Sequence, residues 1–457
     1  MPGLISSLRD YRGWILSGSI LALILIASFL RVKFYGDPAL SIAGNDTITY
    51  VEASQVPLFS AEIFTGRRLL TTNLVYKMFE PESGYEILIN GSLETTRRGF
   101  QNGFDRIVIF QLILSLVGWG ALAWSVSQTL RNSWMRVISA ALILAFAYTP
   151  HMADWDSILM SESLTFSLFA LQLALLIKII FDLYRDPNAK VTGLIMVWGF
   201  VTFFWVFLRD TNVFTALMTL GMIAILMVSP RYRKKKTLVG TMLFLVFVVV
   251  LGLVTARASV RTVVQIRNIY KDDIFPNPGV VTVFQNMGMP VDSFFAPEFE
   301  PWLQTEGAST LFRFMLTHPG YVGTKLWNDF PDSFYEIKQT YFTARDLNPA
   351  RDILFEVGNS LHPENPTPFL ASILPLIGLL LLASKGIGDS RPWAWLGLWL
   401  IFTATLTLIP TILGDTWALN RHALYSTMIF RMTMWLFPII LADTALERDS
   451  NFAASKS

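Results

Sequence analysis

The stretch HMADWDSILMSESL (residues 151–164) places Asp154, Asp156 and Glu162 within nine residues, between two long apolar runs. Carboxylates spaced i,i+2 can converge when the backbone is extended or turning. Their oxygens suit a hard cation such as Mg2+ or Mn2+, or the hydroxyls of a polar substrate. A hydrated loop would carry the same D-x-D spelling, and nothing in the sequence requires a cofactor. Glu162 falls about one turn inside an apolar run. Facing lipid it would be costly, so it must face a cavity or a partner, or else sit at the interface near a helix N-terminus, where the dipole favours it.

Cations lie at corresponding places. Arg209 ends an apolar run in FLRDTN, Arg257 and Arg261 follow another at i,i+4, and Arg421 and His422 open the last one. Arg97 and Arg98 stand in a long loop. The planar guanidinium donates two parallel hydrogen bonds and suits phosphate. The plainer role for each is to snorkel to lipid headgroups. Arg431 lies near the middle of an apolar run, so it should face the bundle interior, beside a buried acid or a lipid.

The chain that positions these groups is oily. Of its 457 residues 53% are hydrophobic and 15% charged, with a mean hydropathy of +0.47. A typical soluble domain is about 25% charged. The composition therefore implies an integral membrane protein. Cysteine is absent, which excludes disulfides, thiolate metal sites and cysteine nucleophiles. The four histidines are too scattered for a metal cage. Net charge is +2 and unevenly placed, and no nucleic-acid partner is expected.

A spanning helix needs roughly 17–25 mostly apolar residues. Ten runs qualify: about 14–31, 107–128, 134–150, 158–181, 191–208, 212–229, 237–256, 367–384, 392–413 and 423–443. Alternate short loops carry Arg9 and Arg12, Arg131 and Arg136, Arg185 and Lys190, RYRKKK (231–236), then Lys385 and Arg391. By the positive-inside rule these share the cytoplasmic side, which puts both termini there and the acidic turn outside. Residues 1–256 form a seven-span module with a long outer loop at 32–106. Residues 257–366 form a second outer region, and 367–457 hold three closing spans and a tail. The expected fold class is an all-α polytopic membrane protein with amphipathic helices on its outer face. Those helices are expected in DTITYVEASQVPLFSAEIF (46–64), interrupted by Pro57, and in LLTTNLVYKMF (69–79). Asp46 heads the first of these, where a helix N-cap is its local explanation.

The order of motifs resembles the GT-C superfamily of membrane glycosyltransferases, which includes protein O-mannosyltransferases and aminoarabinose transferases. GNDTITYVEA resembles the first-loop acid followed by Tyr and Ala. RRLLTTNLVYKMF resembles the segment after it. TPHMADWDSILMSESLTFSLFALQLALL resembles the second outer loop and next span. FRFMLTHPGYVGTKL (312–326) and GDTWALNRHALY (414–425) resemble later outer segments. One departure is that Asp46 is followed by Thr47, where the mannosyltransferases usually show Asp-Glu. The resemblance implies a seven-helix module plus about three further spans. It implies transfer of a sugar from a polyprenyl-phosphate-type carrier to a glycan, lipid or protein acceptor on the outer face of a bacterial plasma membrane. Asp46 would be the general base. Asp154, Asp156, Glu162, Arg209, Arg257, Arg421 and His422 would bind substrate, with Asp154 and Asp156 as the metal ligands if a metal is used. A transporter or flippase of lipid-linked saccharide would also use Arg and acids in a cavity. A non-catalytic envelope-assembly protein would need none of these charges.

Overall fold

The structure is a computed structural model that describes residues 2–35, 38, 41–43, 46–86, 103–259, 261–335 and 349–454. The described residues form an all-α polytopic bundle, with one isolated backbone bridge as the only extended pairing among them. Helix α1 (Pro2–Phe34) leads into three short helices: α2 (Thr47–Ser54), α3 (Glu62–Thr65) and α4 (Leu70–Met78). Pro57 falls just beyond α2, as a residue that disfavours helix before it should.

The chain continues as α5 (Asp105–Thr129), α6 (Ser133–Tyr148), the one-turn α7 (Pro150–Ala153), α8 (Glu162–Arg185), α9 (Thr192–Val206), α10 (Val213–Val228) and α11 (Lys236–Arg257). Helices α5 and α8 make the tightest pair. A Cβ on Gly118 would stand 2.3 Å from the Ser167 carbonyl, so only glycine lets the backbones approach this closely.

Among the described residues, eight helices are long and apolar enough to cross a membrane, or nine if one bent pair is a single span. Two of the ten expected spans come out differently. The run at 134–150 is a helix bent by 54° against the segment that begins at Pro150. The run at 191–208 gives only the 15 residues of α9. Its last carbonyls are taken from above: the Thr71 hydroxyl donates to Phe204 O (2.6 Å) and the Thr71 amide to Phe207 O (3.2 Å).

The 257–366 region holds α12 (Arg261–Ile269), α13 (Pro278–Asn286), α14 (Phe299–Trp302), α15 (Ala308–Thr317), α16 (Pro319–Asp329) and α17 (Pro349–Leu361). It has its own small core around Tyr270, Phe284, Phe299 and Phe314. Three long helices close the bundle: α18 (Thr367–Ser384), α19 (Ser390–Gly414) and α20 (Leu419–Ala454). The basic loops gather on one face, where Asp389 takes both Arg131 and Arg185 at 3.2 Å and the Lys235 ammonium donates to Pro187 O.

Candidate functional site

Two crossings of the chain build the site on the face opposite the basic loops. Ile42 pairs with the segment after the acidic turn: its amide donates to Ser157 O (2.8 Å) and its carbonyl accepts from Leu159 N (2.9 Å). The Thr47 hydroxyl donates to Leu159 O (3.0 Å), and Tyr50 Oη donates to Ser161 Oγ (3.2 Å). These bonds bring Asp46, at the head of α2, beside the start of α8. The loop between α19 and α20 supplies the other side.

Asp46 occupies the N-cap position of α2, but its side chain makes no capping bond. The carboxylate turns instead to two arginines, with Arg421 Nη2 3.0 Å from Oδ2 and Arg68 Nη2 3.4 Å from Oδ1. Arg68 is fixed by bonds to Thr49 Oγ1 (2.7 Å) and Tyr50 Oη (3.2 Å), and by its position 3.9 Å above the Tyr50 ring. Arg421 Nη2 also donates to His422 Nε2 at 3.1 Å, which leaves His422 Nδ1 to carry the proton toward buried Asp415. Asp415, His422, Arg421, Asp46 and Arg68 thus form one chain of contacts. Burial pushes the Asp46 carboxyl upward, but the Arg68 and Arg421 guanidiniums outweigh it and hold the group below its ordinary value.

The loop has a reason to carry acids. Arg421 lies in the first turn of α20, where the dipole disfavours a cation. Asp46 and Asp415 offset that. Ala418, just before the helix, has φ +53, a left-handed conformation that is strained for a residue with a Cβ.

Next to this chain, Arg209 Nη2 meets Glu162 Oε1 at 2.7 Å, and Arg209 Nη1 donates to the His422 carbonyl at 3.3 Å. Glu162 is 2% exposed, and its second oxygen has no hydrogen-bond partner among the described residues. A buried carboxylate oxygen left open is a place for a hydroxyl donor.

Asp154 and Asp156 are arranged otherwise. Asp156 accepts from Arg31 Nη2 (3.3 Å) and from Ser163 Oγ (2.7 Å), while Asp154 pairs with Arg351 of α17. Their side chains are 7% and 6% exposed, against 37% for Asp46. Helix α17 lies close over this turn, since a Cβ on Gly358 would meet His151 Nδ1 at 2.1 Å. The two carboxylates are engaged by different arginines, and no group of three or more metal-ligating side chains occurs among the described residues.

Arg257 is exposed at the end of α11 and joins none of these pairs. The helix breaks before Arg261, so the two do not share a face. Arg261 instead grips Asp210 through Nε (2.9 Å) and Nη2 (3.0 Å). Arg431 is wholly buried and meets carbonyls rather than an acid: Nε donates to Pro363 O (3.0 Å) and Nη2 to Phe334 O (2.6 Å). Arg97 and Arg98 lie outside the described residues. Reading the sequence did not single out Arg68, Arg31, Arg351 or Asp415. Asp415 and Arg68 had a signal, as the acid of the GDTWALNRHALY segment and the second residue of RRLLTTNLVYKMF.

No family profile and no curated protein matches the sequence. Among solved structures, the chain is similar to the oligosaccharyltransferase AglB of Archaeoglobus fulgidus in complex with an inhibitory peptide and a dolichol-phosphate. The identity is 12% and the TM-score 0.45, over 95% of this chain and 52% of that one. The apo form of the A. fulgidus enzyme gives 12% identity and a TM-score of 0.43 over 95% and 52%. Its complex with zinc and sulfate gives 13% and 0.40 over 94% and 51%. The chain spans about half the length of these proteins.

Proposed function

We propose that the protein transfers a sugar from a polyprenyl-phosphate-type carrier to a hydroxyl or amide acceptor at the outer face of a bacterial plasma membrane. The observation that carries this reading is Asp46. It forgoes its capping bond, keeps more than a third of its side chain exposed, and stands between two arginines. The acid and cations needed for glycosyl transfer from a phosphate meet at this point.

In the resting state the two guanidiniums share the Asp46 carboxylate and make it a weak base. A carrier phosphate competes for Arg68 and Arg421, and each arginine that moves to it leaves Asp46 more basic. The acceptor's hydroxyl oxygen or amide nitrogen then attacks the anomeric carbon, its proton passes to Asp46, and the C1–O bond breaks with its electrons going to the phosphate. A positioned carboxylate contributes about 10²–10⁴-fold in such a step. The arginines stabilise the leaving phosphate. The open oxygen of Glu162 accepts from a sugar hydroxyl, while Arg209 holds Glu162 in place. Asp154 and Asp156, paired with Arg351 and Arg31, set the turn from which Glu162 projects. A divalent ion could be held only if those arginines withdrew.

Mass spectrometry of co-purifying lipids tests the proposal on wild type, Asp46→Asn and Arg421→Ala. Wild type should carry a polyprenyl phosphate and its glycosylated form. Asp46→Asn should shift the pool toward the glycosylated form, because the sugar is bound and not transferred. Arg421→Ala should lose both. Bulk phospholipid alone in all three proteins would overturn the proposal, and retained sugar transfer by Asp46→Asn would remove Asp46 as base.

A further inference from the structure

The turn between α2 and α3 reads Val56-Pro57-Leu58-Phe59-Ser60-Ala61, six residues without a charge. Phe59 is fully exposed and Leu58 is 44% exposed, and neither belongs to the core of the bundle. The turn is bordered by exposed polar residues: Glu52, Gln55, Glu62 and Arg67. An apolar tip with a polar rim needs something to cover it.

The height of the turn says what that is. Helix α9 has 15 residues. At 1.5 Å per residue it rises about 22 Å from the basic face. A bilayer's hydrocarbon core is about 30 Å thick. Helices α3 and α4 rest on the end of α9. Thr71 bonds the carbonyls of Phe204 and Phe207, and the Phe64 ring meets the Phe207 ring edge-on at 5.5 Å. Arg261 ties the Phe64 and Gly66 carbonyls to the base of α12. The α3–α4 platform is therefore pinned where α9 stops, several ångströms short of the far hydrocarbon boundary. Below it, α9 presents Met196, Val197 and Phe200 outward, each more than half exposed. The exposed apolar surface thus continues upward toward Phe59.

We infer that the Leu58–Phe59 turn inserts into the acyl region of the leaflet on the Asp46 face, and that the platform of α3 and α4 is partly sunk in that leaflet. The occupant of the apolar tip is lipid. The rim charges remain at headgroup depth, which limits insertion to the tip. This inference does not depend on the chemistry proposed for Asp46.

The absence of cysteine makes the test clean. Phe59→Cys, Gln55→Cys and Leu243→Cys each create a single labelling site in the full chain, and all three positions are exposed. Leu243, in α11, serves as the lipid-facing reference. Each variant is nitroxide-labelled in phosphatidylethanolamine–phosphatidylglycerol vesicles, and its collisions with oxygen and with a water-soluble nickel chelate are compared. Position 59 should be oxygen-dominated like position 243, with a collision ratio several-fold above that at position 55. A nickel-dominated signal at 59 would place the turn in water and overturn the inference. Protection from both reagents would mean that protein covers the turn, and would overturn it equally.

Discussion

The Arg209–Glu162 pair allows a worked test of what its two members do. Glu162 is 2% exposed and Arg209 15%, with 2.7 Å between their charged atoms. Arg209→Met removes the cation, fills much of its volume and leaves a buried carboxylate alone. Breaking a buried pair in this way costs about 3–5 kcal/mol. The lower end applies here, since Arg209 keeps some contact with solvent. The variant also loses the bond to the His422 carbonyl, worth about 1 kcal/mol. The double variant Arg209→Met/Glu162→Met strands no charge, so its loss should fall to roughly that 1 kcal/mol, because apolar replacement of a buried pair is often close to neutral. The expected coupling is thus at least about 2 kcal/mol. Chemical unfolding in mild detergent measures it. An Arg209→Met cost below about 1 kcal/mol, or strict additivity in the double variant, would refute the pairing as a buried one. Sugar transfer then separates the roles. The double variant should be stable yet inactive if the open oxygen of Glu162 holds the sugar.

Four further outcomes follow from the structure. Asp46 is held below its ordinary value, so the acid limb of kcat/KM for the free enzyme should lie below the usual carboxylate range, and Arg68→Gln should move it upward. By linkage, the stability Asp46 contributes is present above its unfolded value and is lost as pH falls through the folded one; unfolding between pH 5 and pH 2 checks both the direction and the window. Ala418→Gly relieves a left-handed residue whose strain is about 1–2 kcal/mol, less the extra chain entropy of glycine, so the midpoint of thermal unfolding should rise. A lower midpoint would show that the conformation is unstrained. Gly118→Ala drives a Cβ into the Ser167 carbonyl and should cost about 1–3 kcal/mol by forcing α5 and α8 apart, measurable as a lowered denaturant midpoint.

The spans were legible because length and apolarity are local properties. Of the two that departed, the 134–150 run breaks at Pro150, which the sequence itself marks, while α9 departs for a reason the local pattern does not carry. Phe207 and Leu208 are as apolar as the residues before them, yet the helix stops, because Thr71 takes its last carbonyls from more than a hundred residues away. The acidic turn shows the same limit more sharply. Its three carboxylates stood out by type and spacing, but their availability depends on partners from three other segments: Arg31 in α1, Arg209 after α9, and Arg351 in α17. Arginines scattered along a chain do not announce which acid each will neutralise. Arg68 looked no different from Arg67 beside it, yet Arg67 is an exposed rim residue while Arg68 is locked over Tyr50 and aimed at Asp46.

Exposure therefore decides among the four acids where spacing could not. Asp154 and Asp156 are sealed beneath α17 and α1, and Glu162 offers one buried oxygen. Asp46, the acid with the plainest local explanation, is the one that keeps more than a third of its side chain exposed. It is also the one whose two cations are themselves partly open, at 21% for Arg68 and 18% for Arg421. A carboxylate that gives up its helix cap for two arginines forgoes a bond worth about 1 kcal/mol. That trade fits the proposed function, in which an incoming anion draws the two arginines away from the acid. The same reasoning predicts that inorganic phosphate, at concentrations that compete for Arg68 and Arg421, should raise the Asp46 pKa, and that Arg421→Ala should blunt the effect. An Asp46 titration indifferent to phosphate would mean that these arginines are structural, and would count against the proposed phosphate site.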